Sequence, residues 1–524
     1  MLSAGRTEDA KLNAAGALMQ LATAPHGQDA LSGSGVIPVL CELLSPECSL
    51  PLREQAAGAL VNLTYRHRGN CAKVRTQENA LSALVALLKE ESAPAHEYAA
   101  GAISNILVGD SAFYGSGFVD AQIAKDILAL GAFEALLQVL ICSVNGPVSS
   151  ARCEARNAIG NLASHISETE VLSCTEEVAE EMVAPLFRQT LQGQLEALSC
   201  CMNMAQHVSM KAMLTQAGIV KPLVRLLEND EKHIRERAAG TLANLMNGHP
   251  ETVRAVFSQS GSDVVKKLVG ILGTDDSSTT RQYASLAFAM LVTLELPRKA
   301  AHKTNAAKLL CLALEKDRQW QTALAILNMS PVVAKERRVW QRKLIANDVL
   351  ASLVQMLRQR EDSFAIGAGA NCRFAANRLY SLATLLSLTQ GSSFASKQAL
   401  KAGVLDPLLE VLSNKDKESC EMKQYAVGVL GNLLKHGGLP SKQVANDEII
   451  ECILELLGSG RADGRDVVMF TIIALVEANS DCFQNSVERL ISMLKDLKDL
   501  GAIGGTLLDQ VGYLLKMLKH RTLT

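Results

Sequence analysis

The chain has 524 residues and a formal net charge of −2, a balance that argues against a general nucleic-acid binder. Apolar residues make up 48% and aromatics only 4%, with Ala and Gly abundant, which suits tightly stacked helices. No run reaches the ~18 uncharged apolar residues of a membrane helix; Val467 to Val476 is too short, and membrane insertion is not expected.

The first predicted element is a helix over Lys11 to Thr23. Its Ala14 to Ala24 stretch could pass for a signal h-region, but Glu8 and Asp9 precede it where a basic segment would be needed. The stretch fits a repeat instead. The octet Ala-Ala-Gly-x-Leu-x-Asn-Leu stands at Ala56 to Leu63, at Ala99 to Ile106 with Ile for Leu, and at Ala238 to Leu245. Looser copies begin at Ala14, Ala155, Ala197, Ala284, Thr322, Ala375 and Ala426. The Asn slot falls at 20, 62, 105, 161, 203, 244, 290, 328, 381 and 432, in steps near 42 residues. Such a period predicts an α-solenoid, whose core grows along one axis and escapes the size limit of a single globular core.

One unit shows the order of elements. Ala217 to Pro222 is a Gly-bearing turn into a helix, Leu223 to Leu227 continues it, Glu228 to Lys232 is a polar loop, and His233 to Met246 is a long helix stopped at Gly248-His249-Pro250. Glu251 to Ser258 then opens the next unit, so each unit is short helix, helix, long helix. This pattern, with Ser34 to Leu40, Leu130 to Leu136 and Ala402 to Leu408 matching its first part, resembles armadillo repeats. The resemblance implies an all-α, right-handed α-solenoid of about ten to eleven repeats over residues 1–480, followed by a helical C-terminal cap over 481–524, where Val487 to Lys519 reads as two Lys-rich amphipathic helices. The chain opens inside a unit, at its third helix, which implies either a truncated sequence or another chain packed on that open edge. Insertions at 109–126 and 360–372 lengthen two of the steps; they read either as disordered excursions or, as their aromatics Phe113, Tyr114, Phe118 and Phe364 favour, as contacts to a partner.

Positions −7, −4, 0 and +4 relative to the Asn slot share one face of the long helix, and the resemblance implies that this helix lines a concave binding groove. The expected groove residues are Asn62, Asn105, Asn161, Asn203, Asn244, Asn328 and Asn432, whose amides can hold a peptide backbone, with a bond inside its own repeat as the alternative for each. They are joined at −7 by Tyr98, Arg237, Tyr283, Phe374 and Tyr425, and at +4 by Arg66, His165, His207 and His436. For the histidines a role capping a helix C-terminus is the alternative. A groove of aromatic and cationic groups would suit an extended segment with acidic or apolar side chains. Slot −4 holds Gly16, Gly58, Gly101, Gly240 and Gly428 and never Trp, which weakens any likeness to nuclear-import adaptors and favours the β-catenin-like scaffold form.

The remaining features are bland or absent. Glu168 to Glu181 is acidic and Arg298 to Lys343 is basic around Trp340; both read as solvated faces or as docking points for a partner of opposite charge. Thirteen cysteines, an odd number without a CxxC pair, read as reduced thiols of a cytoplasmic protein, with a nuclear or ciliary setting as alternatives. No Walker loop, HExxH, GxSxG or dinucleotide fingerprint occurs, so no enzyme activity, cofactor or metal is expected. The expected function is a non-enzymatic scaffold binding protein segments along the groove. The rival is a structural subunit built permanently into a large cytoskeletal or axonemal assembly, and a transport adaptor is the weaker third.

Overall fold

The computed structural model describes residues 7–108, 119–142, 149–187, 190–331, 333–359, 368–414, 419–444, 446–459, 462–478, 486–499 and 505–522. These are helical with no strand among them. The chain divides into two units, residues 1–267 and 268–524, with the division inside the helix Asp263–Thr274.

The long helices of the first unit are α1 (Glu8–Leu21), α2 (Leu50–Thr64), α3 (Ala93–Val108), α4 (Ser150–Leu162), α5 (Leu191–Met204) and α6 (Lys232–Met246). Each packs on the one before it. Two shorter helices precede each from α2 onward, as Pro25–Gly33 and Val36–Glu42 precede α2. In the second unit the long helices are α7 (Ser278–Leu291), α9 (Trp320–Asn328), α11 (Ala368–Thr389), α13 (Cys420–Asn432) and α14 (Ala462–Ala478), again packed in sequence. The first helices of three triplets here are α8 (Glu295–His302), α10 (Ala334–Ile345) and α12 (Ser393–Lys401), and α15 (Val487–Asp499) and α16 (Gly505–Thr522) end the chain. Each unit is thus a stack of helix triplets, an α-solenoid.

The octet explains the stacking. Ala56, Ala57, Ala59, Leu60 and Leu63 of α2 are wholly buried, as are Ala99, Ala100, Ala102, Ile103 and Ile106 of α3. Small residues on both sides of a long helix let the next one approach closely, while the Leu and Ile fill the space below. In six of the triplets the turn between the first two helices takes a left-handed residue. Gly35, Gly131, Gly218 and Gly403 supply it at φ of 72° to 84°, and Asn79 and Asp348 take the same place at 63° and 56°.

Candidate functional site

Seven long helices of the two stacks carry asparagine at the same register, and each amide reaches back to the preceding long helix. Asn62 Nδ2 donates to Met19 O at 2.8 Å, Asn105 to Val61 O at 3.1 Å and Asn203 to Gly160 O at 2.8 Å. Asn244 donates to Met202 O at 2.8 Å and Asn328 to Ala289 O at 2.9 Å. Asn161 and Asn432 find hydroxyls instead, Ser104 Oγ at 3.2 Å and Thr389 Oγ1 at 3.1 Å. A helical carbonyl keeps a second lone pair after its own i+4 bond, so the cross-link disrupts neither helix. An N–H of every amide is therefore committed to holding two triplets together. Apart from Asn432, which is buried, these side chains are half-exposed. Among the described residues no protein group donates to the Oδ1 of those six.

Slot −4 is glycine for a packing reason. A Cβ on Gly58 would lie 2.5 Å from Met19 Sδ and 3.3 Å from the Tyr98 ring; on Gly16 it would lie 3.3 Å from Gln55 Oε1, and on Gly101 3.6 Å from Glu154 Cδ. In these three pairs the −7 side chain of the following helix thus rests over the −4 position of the one before. Gln55, Tyr98 and Glu154 occupy the surface that a larger −4 residue would fill.

Charge on this face of the first unit departs from the mixed aromatic and cationic lining expected. Glu97, Glu154 and Glu196 stand on α3, α4 and α5. Burial, and next the neighbouring Glu196, push the Glu154 carboxyl up to about 7, and burial raises that of Glu97. Glu196 is 8% exposed; its Oε1 accepts from Gln192 Nε2 at 2.6 Å, while its buried Oε2 has no hydrogen-bond partner. Burial and then Glu97 and Glu54 raise the Tyr98 phenol. Like charges that cannot all ionise cheaply make this a site whose negative charge grows as pH rises through about 7. Arg237 is buried at its end.

In the second unit the face is aromatic. Tyr283, Phe374 and Tyr425 are half-exposed, and Trp320 stacks on Tyr380 with centroids 5.1 Å apart and planes 20° from parallel. Tyr425 Oη donates to Glu421 Oε1 at 3.0 Å, and burial followed by that carboxylate pushes the phenol up to about 12.

The +4 residues do not act as a set. His207 Nε2 donates to Ala163 O at 2.6 Å and its Nδ1 lies 3.5 Å from Glu168, so it ties two triplets together. Arg66 is exposed, takes φ of 54° and holds its guanidinium 5.2 Å over the Tyr65 ring. His165 is half-exposed at a helix end, and His436 sits in a π turn where burial, then Lys435, lowers its pKa. Phe113, Tyr114, Phe118 and Phe364 lie outside the described residues.

Sequence reasoning missed a second register, nine residues before the slot. Arg53 pairs with Glu90 at 2.9 Å, Arg152 with Glu181 at 2.5 Å, and Arg281 with Asp317 at 2.6 Å. In each case the cation opens a long helix and the carboxylate closes, or follows, the second helix of the next triplet. The Glu168 to Glu181 run is partly consumed in the same way. Glu168 accepts from Val208 N and Ser209 Oγ, Glu170 forms a capping box with Ser167, and Glu181 takes Arg152.

Residues 24–65 and 207–246 match the family described as armadillo/beta-catenin-like repeat. The chain is 24% identical over 271 residues to the adenomatous polyposis coli protein of Homo sapiens, covering 48% of this chain and 9% of that protein. It is 25% identical over 259 residues to U-box domain-containing protein 18 of Arabidopsis thaliana (48% and 34% covered), and 30% identical over 156 residues to vacuolar protein 8 of Candida albicans (29% and 26% covered). The chain thus spans between 9% and 34% of the length of these relatives. A crystal structure of an engineered protein matches the fold with a TM-score of 0.64 at 23% identity, covering 83% of this chain and 98% of that one. No described helix is long and apolar enough to cross a membrane.

Proposed function

We propose that this armadillo-repeat chain is a non-enzymatic scaffold that holds extended protein segments against the face lined by its long helices. The observation that carries the reading is the row of half-exposed asparagines in the first unit, Asn62, Asn105, Asn161, Asn203 and Asn244, with Asn328 anchored alike in the second. Each Nδ2 is anchored to the preceding triplet, so each Oδ1 is held in place without a protein donor of its own. Fixed acceptors at a regular step suit the N–H groups of a peptide that has no internal hydrogen bonds, and each weak contact gains from the others being already in place. Side-chain preference differs along the chain. In the first unit the Glu97, Glu154 and Glu196 carboxylates favour Lys or Arg, a revision of the acidic or apolar segment expected from sequence. In the second, the Trp320, Tyr380 and Tyr425 rings offer stacking surface to apolar or cationic groups.

Selection from a random peptide library displayed on phage, with the whole chain as bait, tests this. Enriched peptides should carry basic residues, and their affinity should fall about tenfold or more in the Glu97→Gln/Glu154→Gln variant. Peptides that bind that variant and a Tyr98→Ala variant as tightly as the parent chain would remove this face from the binding site.

A further inference from the structure

The first helices of three successive triplets in the second unit, α8, α10 and α12, form a continuous face. His302 of α8 meets Trp340 of α10 edge to face with centroids 4.9 Å apart, and α10 packs on α12. These helices carry nine Lys or Arg against only Glu295 and Glu336. Three of the cations are engaged within the protein. Lys299 pairs with Glu295, Arg298 donates to Ser330 O at 3.4 Å, and Arg337 donates to Pro331 O at 3.1 Å. The other six, Lys335, Arg338, Arg342, Lys343, Lys397 and Lys401, form no hydrogen bond or ion pair among the described residues. The positive field is felt inside the fold, where burial and then Lys343 hold the His302 imidazole below its ordinary pKa.

The same elements leave apolar side chains in solvent. Leu296 is 67% exposed, Val333, just before α10, 56%, Val339 53% and Phe394 47%. Unpaired cations interleaved with protruding aliphatic groups are the pattern of a surface that sits at the headgroup boundary of a bilayer. An acidic protein surface would satisfy the cations, but it would also need apolar patches matched to four exposed side chains spread over three elements. A lipid interface satisfies both, because phosphates take the Lys and Arg while the acyl boundary takes Leu296, Val333, Val339 and Phe394.

We propose that the α8–α10–α12 face is a docking surface for an anionic membrane. The contact is peripheral and reversible, and it lies on different helices from the long-helix face that would hold protein segments. A scaffold with both surfaces would gather its protein partners at a membrane.

Sedimentation of the full chain with lipid vesicles tests the proposal directly. Binding is expected to vesicles containing phosphatidylserine and not to pure phosphatidylcholine, and to weaken steeply as salt is raised. The Lys335→Glu/Arg338→Glu/Arg342→Glu/Lys343→Glu variant should lose about 100-fold or more in partitioning. Leu296→Ser/Val339→Ser should lose about tenfold with the salt dependence unchanged. Circular dichroism checks that each variant keeps its helix content, and the same four positions changed to Gln replace the charge reversal if it unfolds. Equal partitioning to both vesicle types, or indifference to the charge substitutions, overturns the proposal. So does soluble polyglutamate that binds the chain more tightly than vesicles and is unaffected by Leu296→Ser/Val339→Ser, since the face would then be one for an acidic protein.

Discussion

Asp317→Asn should open the joint between α7 and the next triplet. Arg281 Nε and Nη2 donate to the two carboxylate oxygens of Asp317, each at 2.6 Å, and Nη1 donates to Asp275 O at 2.5 Å. Both side chains of the pair are only 8% exposed. Removing one partner of such a pair leaves an uncompensated buried cation and costs about 3–5 kcal/mol. The exposed pair in which Arg489 Nη1 donates to both carboxylate oxygens of Glu451, at 2.6 and 2.7 Å with side chains 50% and 33% exposed, is the internal control. Its loss in Glu451→Gln should cost far less, because water screens an exposed pair. A stack of triplets opens locally, so global denaturation would blur the effect, and amide hydrogen exchange read by mass spectrometry is the better assay. In Asp317→Asn the amides of α7 and of Ala306–Asp317 should exchange roughly 100-fold faster, the equivalent of about 3 kcal/mol. Replacing both partners, as Arg281→Met/Asp317→Leu, should return most of the protection. Equal acceleration in Asp317→Asn and Glu451→Gln, or no recovery in the apolar double variant, would refute the assignment of this register as a structural tie.

Other expectations are simpler to measure. Glu154 holds its proton in the folded state up to about pH 7, whereas the unfolded chain releases it near the ordinary value of 4.5. The folded state therefore binds more protons across that window, and the Glu154 contribution to stability falls as pH rises from about 4.5 to 7. Glu154→Gln should accordingly gain on the parent by about 1–3 kcal/mol between pH 5 and pH 8 in urea titrations, and a pH-independent difference would contradict the buried carboxylate. Affinity for a basic peptide should rise over the same upper range as Glu154 ionises, followed by fluorescence anisotropy. Gly160→Ala should destabilise by about 1 kcal/mol despite better helix propensity, because its Cβ would stand 3.2 Å from Cys200 Cα. Gly512→Ala, with open space around it, should stabilise by about 0.5–1 kcal/mol, so the two substitutions are expected to have opposite signs in thermal melts. Alkylation of the native chain should label exposed Cys420 well before Cys200 and Cys201, whose thiols burial pushes up, that of Cys200 to about 12.

The helices, their order within a triplet and the register of the asparagines were legible because each rests on residues near in sequence. Gly35, Gly131, Gly218 and Gly403 mark turns that need positive φ, and the octet marks the face that must be small. Contacts between triplets were not legible. Arg53 meets Glu90 and Arg152 meets Glu181 across different separations, so no fixed spacing betrays the pairing, and the arginines look like ordinary surface cations until the next triplet covers them. Trp320 and Tyr380 stack across the two triplets that carry them, and neither stands at a position picked out by the −7 register. The acidity of the first unit was hidden for a related reason. Glu154 and Glu196 were visible at −7 beside Tyr98 and Arg237, but only stacking brings them close enough to raise the proton affinity of one.

The asparagine reaches backward to its predecessor, and the arginine nine residues earlier reaches forward to its successor. Every junction bearing both is consequently stitched from its two sides. At the three junctions that carry both ties, parting one step from the next would orphan an amide donor and a buried cation together, so these junctions should be the last to open and the stack should fray between them.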